Sequence, residues 1–442
     1  MRSENLYWVW LSLRLGVASR YITQMIERFE SPFEIYNATE EELSAVESIS
    51  KDVANSLANK NLEKAYEIID YCTVNNIGIL SYDDKYYPSR LRSIKDPPAV
   101  LYYKGNMVDF NDKLFISIVG TRKMSEYGKR AAYKIAYELA GADVVVVSGM
   151  ALGIDSVAAC GALCADGKTV AVLGCGIDVV YPKEHRKLQR IIEKSGLVIT
   201  EFAPGIRPVG SNFPIRNRII SGLSQGTFVV EADDKSGAMI TARTALAQGR
   251  DIFALPGNID ESNAIGTNGL IKDGATAVIT VEDILNNYEP VYSKKINYSG
   301  LAFSKSTFVY SEDVFDKMGI SSRVYETSKS AKKLSSSELR PRRKPHSEND
   351  HEDMPTTVTE ADKKTKAAVT RESALKDDSE KLLAQMDEMT RNIFAEMPMD
   401  RATSVEKLCA LGYTVGDITT ALTMLEIHGL VSSLPGGLYI KR

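Results

Sequence analysis

The chain has 442 residues, 44% of them hydrophobic, enough for one large core with smaller satellites. Its formal net charge of −4 excludes a uniformly basic nucleic-acid coat, so any such site must be a local basic patch on a neutral-to-acidic body. Five scattered cysteines without a CxxC pair, and only four histidines, point to free thiols in a reducing compartment and away from a metal centre or other cofactor.

The opening segment, MRSENLYWVWLSLRLG, carries Glu4 and is broken by Arg14. It is too short and too interrupted for a signal peptide or a membrane span, and no later run is longer and more apolar. A soluble, cytoplasmic protein without a membrane partner is expected. Residues 1–85 read as a helical domain, with apolar residues at helical spacing and turn residues between the pieces.

From 86 to 288 the texture changes. Short β-branched runs (LFISIVG, VVVVSGM, TVAVLGCG, LVITEF, TFVVEA, DIFALPG, AVIT) alternate with helical stretches. This pattern predicts an α/β domain with a mostly parallel, doubly wound, Rossmann-like sheet covered on both faces. Residues 289–378 are rich in Ser, Lys, Glu, Asp and Thr and read as a disordered charged linker. From 379 to 442, three helical segments and the run LVSSLPGGLYIKR suggest a winged helix.

The chemistry sits in the loops at the strand ends: Gly120-Thr121-Arg122, Ser148-Gly149-Met150, Gly174-Cys175-Gly176 and Ser236-Gly237. In a parallel sheet these loops share the carboxyl edge, where open α/β sheets bind ligands. Several open a helix, whose unpaired N–H groups and partial positive charge favour phosphate, and glycine lets an anion approach the backbone. Each glycine taken alone is equally well a tight turn; it is their shared edge that points to a ligand.

The stretch from Ala203 to Val230 adds Arg207, Arg216 and Arg218 and no acidic residue. Arg216 and Arg218 lie about 200° apart on a helix, so at most one faces a cleft at that edge. Arg122, directly after a strand, is the best single phosphate ligand. Phe213 beside Asn217 and the arginines is placed either to stack a base or to staple a helix start. Asp155 is suited to holding a loop through backbone N–H groups. His185, on a charged segment, reads as a surface residue. Ala162 to Thr169 imitates a Walker A loop, but it lacks the first glycine and runs from helix into strand.

The runs Ile118-Val119-Gly120-Thr121-Arg122, Ser148 to Asp155, Phe213-Pro214-Ile215-Arg216-Asn217-Arg218 and Ser236-Gly237-Ala238, in this order, resemble the DprA (Smf) DNA-processing family. The resemblance implies an N-terminal domain like a sterile alpha motif, an extended Rossmann domain and often a winged helix. It implies binding and protection of single-stranded DNA, homodimerisation and loading of the RecA recombinase in natural transformation and homologous recombination. It also implies that Arg122 and Phe213 are pocket residues and that the protein is not an enzyme. Val415 to His428, the third C-terminal helix, carries no Lys or Arg, and its face of Val415, Ile418, Leu422 and Leu425 reads as core; a protein-contact role is expected there rather than groove reading.

Two other functions fit a Rossmann-like nucleotide site: a nucleotide phosphoribohydrolase and a nucleotide sensor signalling through the winged helix. The hydrolase reading lacks its residues. Pro256-Gly257-Asn258 has no second glycine, and Asn268, Gly269 and Leu270 come after Gly266-Thr267 with no glutamate.

Overall fold

The computed structural model describes residues 4–46, 49–320, 386–398, 403–408, 411–427, 430–434 and 438–441. The chain divides into two bodies, within residues 1–340 and 341–442.

Among the described residues, the first body opens with six helices: α1 (Glu4–Leu15), α2 (Ile22–Phe29), α3 (Pro32–Asn37), α4 (Glu40–Ser44), α5 (Lys51–Ala58) and α6 (Glu63–Val74). Their starts are chemically marked. Ser31 caps α3 and Pro32 follows it, Ser50 caps α5, and Thr39 with Glu42 forms a reciprocal capping box on α4. Trp8, Trp10 and Leu11 of α1 are buried, and the Trp10 indole donates to the Asn59 carbonyl at 3.1 Å.

The sheet comes next: β1 (Gly78–Ser81), α7 (Ser89–Arg92), β2 (Val100–Gly105), β3 (Phe115–Val119), α8 (Glu126–Gly141), β4 (Val145–Ser148), α9 (Ile154–Cys164), β5 (Thr169–Val172), α10 (Arg186–Ser195), β6 (Leu197–Thr200), α11 (Asn212–Leu223), β7 (Gly226–Val229), α12 (Gly237–Ala247), β8 (Asp251–Ala254), α13 (Ser262–Lys272) and β9 (Thr276–Ala277). The strand order is β1-β2-β6-β5-β4-β3-β7-β8-β9. From β6 to β9 all neighbours are parallel, while β1 and β2 form an antiparallel margin. The α/β, Rossmann-like expectation therefore holds for the sheet.

Alternation along each strand sorts the side chains into two layers. Ile116, Ile118, Val146, Ala171, Val198 and Phe228 belong to the layer that α8, α9 and α10 cover. Phe115, Val119, Val147, Val172 and Ile199 face Ile219 and Leu223 of α11 and Ala238 and Met239 of α12. Successive strands run outward from β3 to β6, and the chain then returns to place β7 on the other side of β3. The crevice outside the carboxyl ends of β3 and β7 is thus the topological switch point.

Two expected boundaries move. The sheet starts at Gly78, inside the segment expected to be helical, because β1 is a four-residue strand directly behind α6. The charged linker does not begin at 289. Helices α14 (Glu282–Leu285), α15 (Glu289–Tyr292), α16 (Tyr298–Thr307) and α17 (Asp313–Met318) continue the first body. The Asn297 N–H donates to Ala142 at 2.9 Å, and Phe315 meets Tyr133 with ring centroids 5.6 Å apart, so sparse apolar residues suffice to seat a polar segment. Residues 321–378 of the expected linker lie outside the described residues.

The second body contains α18 (Glu388–Glu396), β10 (Thr403–Ser404), α19 (Val405–Leu408), α20 (Val415–Ile427), β11 (Val431–Leu434) and β12 (Leu438–Lys441). Its antiparallel strands are ordered β10-β12-β11. Ile393, Leu408, Ile418, Leu422 and Leu425 form its core. Val415, expected there too, is 61% exposed, since it stands in the first turn of α20, beyond the packed face.

Two helical glycines separate close approach from wasted freedom. A Cβ at Gly161 of α9 would lie 2.4 Å from the Tyr133 carbonyl of α8, whereas one at Gly269 of α13 meets nothing within 4 Å. Denaturant unfolding is expected to show Gly161→Ala destabilised by about 1–3 kcal/mol and Gly269→Ala stabilised by roughly 0.5–1 kcal/mol.

Candidate nucleic-acid interface

The loops after β3, β4 and β7 meet α11 and α12 around one cleft of about 570 Å³. Gly120, Thr121, Arg122, Phe213, Arg216, Asn217, Ser236 and Gly237 all line it. Gly149 and Gly174 line a small hollow beside it that shares Arg122 and Phe213. Residues separated by more than a hundred positions are thus brought to a single rim.

The β3 loop is pinned from two sides. The Thr121 N–H donates to the Glu231 carbonyl at 2.8 Å, and the Thr121 carbonyl accepts from Ile154 at 3.2 Å. Gly153, at φ 85°, lets this loop pass close: a Cβ there would lie 2.3 Å from the Thr121 oxygen. Arg122 is exposed above this anchored turn.

The floor is made by Arg216, which is 4% exposed. Its guanidinium donates to the Gly149 carbonyl at 2.8 Å and also to the Val172 carbonyl. Asp155 lies nearby; one of its oxygens accepts the Gly149 N–H at 3.1 Å. Burial pulls Arg216 down to about 10, with the Asp155 charge opposing that shift; it remains a cation at neutral pH. Burial raises the Asp155 carboxyl, and Arg216 and two backbone N–H groups oppose the rise. Gly149 makes room for this clamp: a Cβ there would fall 2.5 Å from the Arg216 guanidinium and displace it.

Phe213 is half-buried, lying against Gly174, where a Cβ would meet its ring at 2.8 Å. Its centroid is 5.7 Å from the Arg122 guanidinium carbon and 5.2 Å from the Tyr181 centroid. Ser236 caps α12, its hydroxyl accepting the Met239 N–H at 3.4 Å, which leaves Gly237 exposed at the helix start facing the cleft.

Four expected ligands are elsewhere. Arg218 points away from the cleft, 5% exposed, and pairs with Glu201 at 2.5 Å and Asp96 at 3.4 Å, as its helical offset from Arg216 requires. Ser148 is buried, its hydroxyl donating to the Ile118 carbonyl at 2.8 Å. Met150 is 1% exposed, held at φ 52° with its side chain in the core. Gly176 forms the spine of the next loop, donating to Ile206 at 2.8 Å. Tyr181 was not expected at the rim. Nothing in its spacing distinguishes it from a surface tyrosine, and only the fold of its loop brings it to Phe213.

His185 is also not at the surface. It is 1% exposed, with Nδ1 3.0 Å from the Met150 carbonyl, so it supports the β4 loop from behind. Burial lowers its pKa from the ordinary 6.5. The unfolded chain therefore takes up the proton first, and stability is lost as the pH falls below about 6.5. Thermal unfolding of the wild type is expected to drop more steeply below that pH than that of His185→Gln; equal slopes would contradict the buried neutral ring.

Among the described residues no cluster of His, Cys, Asp or Glu is placed to hold a metal, and no helix is long and apolar enough to cross a membrane.

Residues 78–289 match the sequence profile of the family described as DNA recombination-mediator protein A. The DNA processing protein DprA of Bacillus subtilis is 36% identical over 259 residues, spanning 58% of this chain and 86% of its own. DprA of Streptococcus pneumoniae is 42% identical over 206 residues, 47% of this chain and 72% of its own. A solved structure of DNA processing protein A from Helicobacter pylori, concerning its unique single-stranded DNA binding mode, is 33% identical. It covers 48% of this chain and 96% of that one with a TM-score of 0.44.

Proposed function

The chain belongs to the DprA/Smf family of DNA recombination-mediator proteins, and from that membership we propose that it binds single-stranded DNA in the cleft at the switch point of its sheet. Phosphates lie along the Gly120–Arg122 loop and the start of α12 at Ser236 and Gly237. Arg122 supplies the mobile cation, and Arg216 holds the floor while adding positive potential. Phe213, with Tyr181 beside it, offers a face for an unstacked base. A paired base has no free face to give such a platform, which is what selects single strands over duplex.

The observation that carries this reading is the convergence, in one cleft, of a helix start, a glycine loop, an exposed arginine and a half-buried aromatic ring. Phosphate charge, amide dipoles and base stacking are the three terms that single-strand binders combine.

In this reading the protein is a binding protein without turnover and acts in the cytoplasm. It shields incoming strands during transformation and passes them as a homodimer to the RecA recombinase. The N-terminal helices make a sterile-alpha-motif-like domain. The second body is a winged helix whose α20 exposes Thr419, Thr420 and Met424 and contains no Lys or Arg. A helix so composed suits a protein partner better than a nucleic-acid groove.

Fluorescence titration with oligo-dT tests the reading. Arg122→Ala is expected to weaken binding with little dependence on sequence. The affinity falls with salt with a slope of roughly −0.7 per phosphate neutralised. Phe213→Ala costs about 1–3 kcal/mol. A salt-independent affinity, or equal binding of duplex, would contradict it, as would free base released from nucleoside monophosphates.

A further inference from the structure

A second cavity, of about 550 Å³, opens on the same carboxyl edge and shares none of its lining residues with the first cleft. Its central group is Glu231, which follows β7 and is 6% exposed. The Ser125 N–H donates to this carboxylate at 2.9 Å, and the Ser125 hydroxyl donates to its other oxygen. Room for it is made by Gly128 in the first turn of α8, where a Cβ would lie 2.3 Å from the Glu231 carboxyl carbon. Around it stand Tyr127, Asn258, Glu261, Asn263 and Thr267, on an apolar base that includes Leu255 and Ala264.

None of the described residues lining this cavity is Lys or Arg. Two carboxylates without a cation repel phosphate, so this is not a second copy of the first cleft. Its oxygens and carboxamides suit a neutral, flat group that presents N–H donors. The two cavities also share a partition: the backbone bond from Thr121 to Glu231 joins the loop of the first to the wall of the second. A strand held against Gly120–Arg122 therefore runs next to the residue whose side chain lines the second cavity.

Among the DNA bases, guanine alone carries two adjacent donors, N1–H and the 2-amino group, on one edge, matching the two oxygens of a carboxylate. Thymine offers N3–H between two carbonyls, which a carboxylate repels. Adenine and cytosine offer an amino group beside an acceptor nitrogen. We propose that the second cavity is a nucleobase pocket that takes guanine from the strand held in the first cleft, with the Glu231 carboxylate reading its N1–H and 2-amino edge. This rests on the proposed binding of a single strand in the first cleft.

The test uses the intact protein and four oligonucleotides of equal length: all thymidine, and thymidine with one internal guanine, hypoxanthine (inosine) or adenine at the same position. One guanine binds more tightly than none by a factor on the order of ten. Hypoxanthine, lacking the 2-amino group, loses most of that gain. In Glu231→Gln, whose folding is checked by thermal unfolding, the ratio collapses towards one. Equal affinities of the guanine and thymidine strands for the wild type overturn the pocket, and that comparison needs no variant. So does a preference that persists in folded Glu231→Gln, or an equal gain from adenine. If the all-thymidine strand itself does not bind, the single-strand reading fails and the pocket with it; if it binds without a guanine preference, only the pocket fails.

Discussion

The cleft depends on one buried cation. Arg216 reaches from α11 into the carboxyl edge and bonds the carbonyls of Gly149 and Val172, tying the ends of β4 and β5 to the helix that carries Phe213 and Asn217. A guanidinium taken out of water is costly unless its donors are filled and a counter-charge is near. Here two carbonyls, the Asn217 side chain and Asp155 meet that need. Asp155 in turn holds the Gly149 N–H, so the β4 loop is fixed through both its carbonyl and its amide. Without this clamp the loops after β3, β4 and β7 have no common floor.

That clamp leaves Arg122 and Arg216 with different duties. The inner arginine is committed to the protein and contributes a fixed potential; the outer one stands on a rigid turn and remains available to a phosphate. Preorganised amide dipoles and a fixed charge cost nothing to reorient when a strand arrives. The exposed arginine confers adaptability, which suits a ligand whose backbone has no single conformation. The chain's overall negative charge is compatible with this, because attraction is confined to one rim instead of spread over the surface.

Much of this was legible in the sequence because the sheet period and the glycine loops carry the same message. Apolar runs of four or five residues followed by Gly120, Gly149 or Gly174 mark strands with their loops at one edge, and the parallel topology then brings these loops together. The helical offset of Arg216 from Arg218 correctly separated the two arginines, though not which of them would face inward to the cleft. Other features depended on long-range packing. Met150 and Ser148 lie beside Gly149, yet their side chains are buried. His185 sits among charged residues but folds under the β4 loop. Tyr181 reaches the rim only through the path of the loop that holds Gly176. The polar segment after 289 continued as helices because a few residues, Phe315 among them, found partners on α8, which composition alone does not reveal.

The central claim is that an unpaired strand lies along the rim built on Arg216. Hydrogen exchange read by mass spectrometry on the intact chain, with and without saturating oligo-dT, tests it most directly. The account predicts slowed exchange confined to the amides of 120–122, 149–153, 213–217 and 236–239. Protection centred on other surfaces of the chain, with these four segments unchanged while the strand is bound, would contradict it.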